Sequence, residues 1–61
     1  MKGLKVLLVD DEIEFITTLS ERLVLRGIHA AMATDGESAL RRIEKDPPNV
    51  LIMDLLMPGI N

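Results

Sequence analysis

Two apolar runs that end in acidic residues dominate the hydrophobic pattern of the sequence. Residues 6–9 are followed by three consecutive acids at 10–12, and residues 50–53 are followed by Asp54. Neither run alternates with polar positions, and a continuous apolar run is typical of a strand buried on both faces of a parallel sheet. We therefore predict two buried strands that place carboxylates at their C-terminal ends.

A helical period follows the first run. Between residues 13 and 26 the apolar positions recur three and four residues apart, which predicts an amphipathic helix. Gly27 is suited to end this helix, and Ile28 can make the hydrophobic contact that often accompanies such an end. The apolar positions of the helix are Phe15, Ile16, Leu19, Leu23, Val24 and Leu25.

A second helix is predicted to begin at a capping box formed by Thr34 and Glu37 and to end near Lys45. Segment 46–49 contains two prolines and breaks the helix. Glu37 lies one turn before Arg41, a spacing that favours an ion pair. The apolar stripe of this helix consists of Ala39, Leu40 and Ile43.

The order of these elements predicts an α/β fold. Residues 29–33 are rich in alanine, a poor strand former, so their position between two helices is what predicts a strand. The order strand, helix, strand, helix, strand implies a parallel sheet with right-handed crossovers. If the third strand returns beside the first, the strand order is 2-1-3, and Asp10, Asp11 and Asp54 meet at the crevice where the order reverses.

Composition narrows the possible functions. A chain of 61 residues forms one domain at most, and its net charge of -3 argues against a general polyanion-binding role. Phe15 is the only aromatic residue, so a base-stacking surface for nucleic acid is not expected. Cysteine is absent and the first apolar run is short, so we expect a cytoplasmic chain with no thiolate metal site and no membrane span.

The acidic residues could form a metal site or could be solvated loop residues. Clustered carboxylates repel one another, and a hard divalent cation with oxygen ligands relieves that repulsion. Mg²⁺ uses one or two carboxylates together with water and phosphate oxygens, which fits this set. Because two apolar strands both end in acids at this spacing, we favour a Mg²⁺ site.

These residues resemble the receiver domain of two-component response regulators. The matching segments are residues 6–12, 34–40 and 51–59, and they run the length of the chain in order. The Asp-Asp pair alone is a weak signal. The Asp-x-x-Met-Pro-Gly loop that begins at Asp54, at its distance from that pair, makes the set specific.

The resemblance implies a role for each matching position. Asp54 corresponds to the phosphoacceptor, which takes its phosphoryl group from a phosphohistidine of a sensor histidine kinase. Asp11 corresponds to the direct Mg²⁺ ligand and Asp10 acts through metal-bound water, while Asp54 and the backbone carbonyl of Leu56 complete the metal contacts. The helix at 13–26 resembles the surface on which the kinase docks.

A receiver has a flavodoxin-like fold of five strands and five helices, roughly twice this length. We therefore expect residues 1–61 to be the N-terminal half of a receiver, truncated after the third strand, without counterparts of the family's Ser/Thr, Lys and aromatic switch residues. Strand 50–53 would then have an open apolar edge, which predicts self-association in the order 2-1-3-3-1-2.

Three other functions remain as alternatives. One is a structural half-domain that forms a homodimer without signalling. Another is a phosphohydrolase of the haloacid dehalogenase type, which is disfavoured because Leu56 stands where that family needs an acid. A nicotinamide-binding fold is weaker still, because the first strand–helix turn lacks a glycine-rich phosphate cradle. We accordingly expect a phosphoaccepting signalling domain rather than an enzyme.

Overall fold

The computed structural model describes residues 3–54, which form three strands and two helices. Within that range neither helix is long and apolar enough to cross a membrane. The predicted alternation of strands and helices is confirmed. In chain order the elements are β1 (Lys5–Val9), α1 (Ile13–Leu25), β2 (His29–Ala33), α2 (Gly36–Lys45) and β3 (Val50–Met53).

The three strands form one parallel sheet in the order β2-β1-β3, which confirms the predicted 2-1-3 order. Each β1 residue from Val6 to Val9 therefore has a partner on both sides. Leu7, for example, is level with Ala31 of β2 and with Leu51 of β3. The alanine-rich segment is a strand because β1 pairs along its whole length, not because of its own propensity.

Alternate residues of β1 enter two separate hydrophobic clusters. Val6 and Leu8 pack with Ile16 of α1 on one face of the sheet. Leu7 and Val9 pack with Ala39 of α2 on the other face. The helices thus cover opposite faces, as the reversal of the strand order requires, and β1 forms the centre of a three-layer structure.

The prediction that both acid-ended strands are buried is correct for β1 and wrong for β3. Residues 6–9 are at most 5% exposed, whereas Val50, Leu51 and Ile52 are 41%, 43% and 44% exposed. Within the described part of the chain, β3 pairs with β1 on one side only. An edge position therefore overrides a sequence pattern that is typical of a central strand.

The C-terminal end of α1 confirms the role predicted for Gly27. This glycine adopts φ +82°, and its N–H donates to the carbonyl of Val24 at 3.0 Å. The N–H of Ile28 donates to the carbonyl of Leu23, also at 3.0 Å, and both of these side chains pack against the α1-side cluster. This paired bonding with its hydrophobic contact is a Schellman motif.

The predicted start of α2 is wrong by one residue. Asp35, not Thr34, is the N-cap: it has an extended backbone, and its side chain accepts the Ser38 N–H at 2.7 Å. The Ser38 hydroxyl also donates to the Asp35 carboxylate at 2.9 Å, and these hydrogen bonds lower the pKa of Asp35. The predicted pair between Glu37 and Arg41 is present at 3.3 Å on the solvent side.

Several residues assigned to the apolar stripes are exposed. Phe15 is 57% and Leu40 is 63% exposed, although each adjoins a buried residue in sequence, Ile16 or Ala39. Successive helical residues are rotated by about 100°, so these neighbours lie on the flank of the helix. Near the C-terminal end of α1, Val24 and Leu25 are also exposed, because they follow Leu23, whose side of the helix packs against the cluster formed by Val6, Leu8 and Ile16.

Candidate metal centre

Three carboxylates meet at the end of the sheet that is formed by the C-terminal ends of the strands. Asp10 and Asp11 follow β1, and Asp54 follows β3. One carboxylate oxygen from each residue lies within 4.8 Å of those of the other two. Asp10 and Asp54 are half-buried and Asp11 is exposed, so the cluster opens to solvent on one side.

Backbone hydrogen bonds hold the two acid-bearing segments level with each other. Val9 and Met53 are register partners, and the N–H of Asp54 donates to the carbonyl of Val9 at 3.0 Å. On the other side of β1, the N–H of Asp10 donates to the carbonyl of Ala33 in β2 at 3.2 Å. The meeting of the acids therefore follows from parallel strand pairing, since the C-terminal ends of paired parallel strands share one edge.

The turn between β1 and α1 orients Asp10. One oxygen of its carboxylate accepts the Glu12 N–H at 2.9 Å, which fixes the side chain against its own turn. Glu12 occupies the N-cap of α1, and its side chain makes no capping hydrogen bond. Because the first turn of a helix carries partial positive charge, the site also lies where negative charge is favoured.

The donor set fits a hard divalent cation. All three side chains offer carboxylate oxygen, and Mg²⁺ takes oxygen ligands at about 2.0–2.1 Å in octahedral geometry. Such ligands stand about 3 Å apart when adjacent and about 4.2 Å apart when opposite. A spread of up to 4.8 Å is slightly wider than that range, so the three oxygens would have to move closer together to share one ion. Leu56, predicted to contribute its backbone carbonyl, lies outside the described residues.

A second set of interacting polar residues lies at the other end of the sheet, where β1 and β3 begin. Asn49 accepts the Lys5 N–H through its side chain at 2.9 Å and donates its own N–H to the Lys5 carbonyl at 2.8 Å. The Lys5 ammonium also bonds the Asp46 carboxylate at 2.6 Å, which lowers the pKa of Asp46. We call this group the Lys5–Asn49–Asp46 clamp.

Sequence reasoning did not find the clamp, because contacts 41 and 44 residues apart carry no periodic signal. The structure places His29 at the start of β2, exposed, at the edge of the sheet away from the three carboxylates. The histidine is therefore not part of the acidic site.

Comparison with known proteins identifies the family of this chain. The sequence model of the response regulator receiver domain family matches residues 6–61. The alkaline phosphatase synthesis transcriptional regulatory protein PhoP of Bacillus subtilis is 35% identical over 57 residues, which cover 93% of this chain and 24% of that protein.

Two further relatives show the same pattern. The probable transcriptional regulator ycf27 of Porphyridium aerugineum is 36% identical over all 61 residues, 25% of its length. The transcriptional regulatory protein KdpE of Mycobacterium tuberculosis is 38% identical over 56 residues, 92% of this chain and 25% of that protein. The chain spans about a quarter of the length of these relatives. With its parallel 2-1-3 sheet and a family match over nearly its whole length, the chain belongs to the response regulator receiver domain family.

Proposed function

We propose that this chain is a phosphoacceptor module, in which Asp54 receives a phosphoryl group from a phosphohistidine of a sensor kinase. The observation that carries the proposal is the convergence of three carboxylates at the ends of two paired strands, in a chain of the receiver family. The relatives are transcriptional regulators, so we further propose that the signal serves transcription and that the module acts in the cytoplasm.

The proposed transfer needs a nucleophile held in place. A carboxylate oxygen of Asp54 attacks phosphorus, the new O–P bond forms as the P–N bond breaks, and the electron pair of that bond stays on the imidazole nitrogen. Asp54 suits this role because its backbone is bonded to Val9, which limits its motion, while its half-buried side chain faces the solvent-open cluster.

Asp10, Asp11, Asp54 and the carbonyl of Leu56 are the residues proposed to hold Mg²⁺. The bound ion would neutralise negative charge on the phosphoryl group as it approaches the acidic cluster. The chain's own contribution is to hold its acids close together before the ion arrives. Asp10 is bonded to the Glu12 N–H and Asp54 to the Val9 carbonyl, so the cost of organising the site is met during folding.

Residues 13–26, which comprise α1 and its C-cap, form the proposed docking surface for the kinase. The N-terminal end of α1 begins two residues after Asp11, so a protein bound there lies next to the acidic cluster. The solvent side of the helix carries exposed apolar residues at both ends. Exposed apolar residues with a polar surround are typical of protein-binding surfaces.

A second candidate function is a structural half-domain that assembles as a homodimer without signalling. The observation that favours it is the exposure of the apolar residues of β3. Metal binding separates the two functions, because a phosphoacceptor needs Mg²⁺ whereas an assembly module does not.

The first test of the phosphoacceptor function is intact mass after incubation with Mg²⁺ and acetyl phosphate. We expect the parent chain to gain the mass of one phosphoryl group and the Asp54→Asn variant to gain none. Asp46→Asn is the matched control, because it removes an exposed aspartate at the opposite edge of the sheet and should leave the gain unchanged. A parent chain that folds, binds Mg²⁺ and gains no mass would contradict the proposal.

A further inference from the structure

We propose that the outer edge of β2, with the flanks of α1 and α2 beside it, binds an extended peptide in which acidic and apolar side chains alternate. Within residues 3–54, β2 pairs with β1 alone, so its other side is open. In the flavodoxin-like order 2-1-3-4-5, further strands add beyond β3 and β2 stays outermost. The open side of β2 therefore does not depend on residues that follow β3, and the inference does not depend on the phosphoacceptor function.

The backbone of β2 has hydrogen-bonding groups on its outer side. His29 donates its N–H to the Leu4 carbonyl, and the carbonyl of Ala33 accepts an N–H from the turn that follows β1, so both residues direct their backbone groups toward β1. This direction alternates along a strand, so Ala30 and Met32 each direct an N–H and a C=O outward. Such an edge is a template for the addition of a peptide strand.

The α2 side of this edge is basic. A cavity beside the end of β2 is lined by Arg41, Arg42 and Lys45 of the helix. Arg41 forms an ion pair within α2, whereas Arg42 and Lys45 form none within residues 3–54. Among the described residues that line this cavity the only acid is Asp46, which Lys5 already bonds at 2.6 Å. The wall therefore has positive charge available for an acidic ligand.

The α1 side of the edge is apolar. Thr17 contacts Met32 of β2 through its hydroxyl at 3.9 Å, which identifies the flank of α1 that faces this strand. Ile13 lies about one turn before Thr17 and Val24 about two turns after it, so both share that flank. Ile13 lines the cavity that contains the basic residues, and Val24 lines a second cavity beside the start of β2. Their exposed fractions are 55% and 58%, so both side chains are available for contact.

The two walls together define the side-chain pattern of the ligand. A strand added to β2 directs successive side chains to opposite faces of the sheet. Every second side chain then faces Arg42 and Lys45, and the side chains between them face Ile13 and Val24. Charge complementarity on one face and apolar contact on the other favour carboxylates that alternate with apolar side chains. Because β2 has five residues, a peptide of similar length spans the edge.

The first experiment measures the binding of a dye-labelled peptide of alternating glutamate and valine to the 61-residue chain by fluorescence anisotropy. A peptide of the same composition with its glutamates in one block is the matched ligand control, because it has equal charge but cannot direct all its acids to one face. We expect saturable binding of the alternating peptide that weakens as salt is added, and several-fold weaker binding of the block peptide. Equal binding of the two peptides would identify a general anion surface and overturn the proposal, as would no binding of the alternating peptide.

Substitutions on α2 test the basic wall. Arg42→Gln and Lys45→Gln should each weaken binding of the alternating peptide about two- to fivefold, as expected for the loss of one exposed ion pair. Leu40→Glu is the matched control, because it lowers the net charge by the same amount at an exposed position on the opposite flank of α2 from Arg42. Equal weakening by the control and the two basic-wall variants would overturn the assignment of this wall.

Amide hydrogen exchange tests whether the peptide adds as a strand. Saturating peptide should slow exchange of the Ala30 and Met32 N–H groups, which point outward from β2. A ligand held by charge alone contacts the side chains of α2 and leaves these two amides as they were. Unchanged exchange at both amides in the presence of bound peptide would therefore overturn strand addition.

Discussion

The strands β1 and β3 have nearly the same sequence pattern and opposite environments. Each is a continuous apolar run that ends in acid, and they are hydrogen-bonded to each other in register. Yet β1 is buried on both faces and β3 is exposed on both. The difference arises from the neighbours that residues 3–54 provide: β1 has a strand on each side and a helix over each face, whereas within that range β3 pairs with β1 alone.

The stability of the fold and the placement of the acidic residues depend on different features of the two strands. Burial of β1 supplies the core, so its side chains hold the fold together. The acid-bearing position after β3 depends on pairing to β1 rather than on burial of β3 itself. Residues of the core and of the acidic cluster can therefore be altered independently, and four predictions test this separation in order of decreasing effect.

The largest effect is expected from a matched pair of substitutions in one row of the sheet. Leu7→Ala removes a buried side chain and should lower the free energy of unfolding by about 2–5 kcal/mol. Leu51→Ala removes its half-exposed register partner and should cost about 1 kcal/mol in the monomer. Urea unfolding at low protein concentration measures both. Equal losses would show that β3 is as buried as β1.

The next effect concerns the acids after β1. Mg²⁺ that binds only the folded chain should raise its thermal midpoint, and Asp11→Ala should abolish the rise. Glu12→Ala is the matched control, because it removes the adjacent acid without losing a side-chain cap on α1. Midpoints recorded with and without Mg²⁺ provide the measurement. A rise that persists in Asp11→Ala would remove this residue from the set of metal ligands.

A smaller effect is expected where β3 begins. Asn49→Ala removes the side-chain acceptor of the Lys5 N–H and should lower the free energy of unfolding by about 0.5–1.5 kcal/mol. Asn49→Asp keeps an acceptor oxygen and should retain most of the stability. If both variants lose the same amount in urea unfolding, the hydrogen bond does not hold β3 against β1.

The smallest effect depends on pH. Since Lys5 holds the pKa of Asp46 below its ordinary value, the pair stabilises the fold above about pH 4 and loses its contribution as pH falls through the lowered pKa. Asp46→Asn should therefore flatten the acid limb of the stability curve. Lys5→Gln should do the same, and the double variant should add nothing further. Additive losses would show that these two residues do not interact.

The sequence was sufficient to predict element order, strand order and the meeting of the acids. Those features depend on local periodicity and on the rule that parallel strands end at one edge. The Schellman end of α1 was also predictable, because Gly27 followed by Ile28 is a local signal. The family resemblance rested on these residues, and the family match confirms it.

The errors have a common cause, which is that neighbours decide burial. Phe15 and Leu40 follow helical periodicity, but both are exposed, and neither belongs to the two hydrophobic clusters that the described residues form between the helices and the sheet. The cap was misassigned because Thr34 and Asp35 are both good N-cap residues, and the choice depended on Gly36 being the first helical residue. No periodic pattern distinguishes such alternatives.

Because the Asp54 N–H donates to the Val9 carbonyl, the register of β1 and β3 sets the distance between Asp54 and the acids that follow β1. A slip of one residue between β1 and β3 would displace Asp54 by about 3.3 Å and turn its side chain to the opposite face. A change of register can therefore alter the distance between the carboxylates only in steps of one residue. Evolution or design can change side chains along either strand without retuning that distance, provided the register is kept.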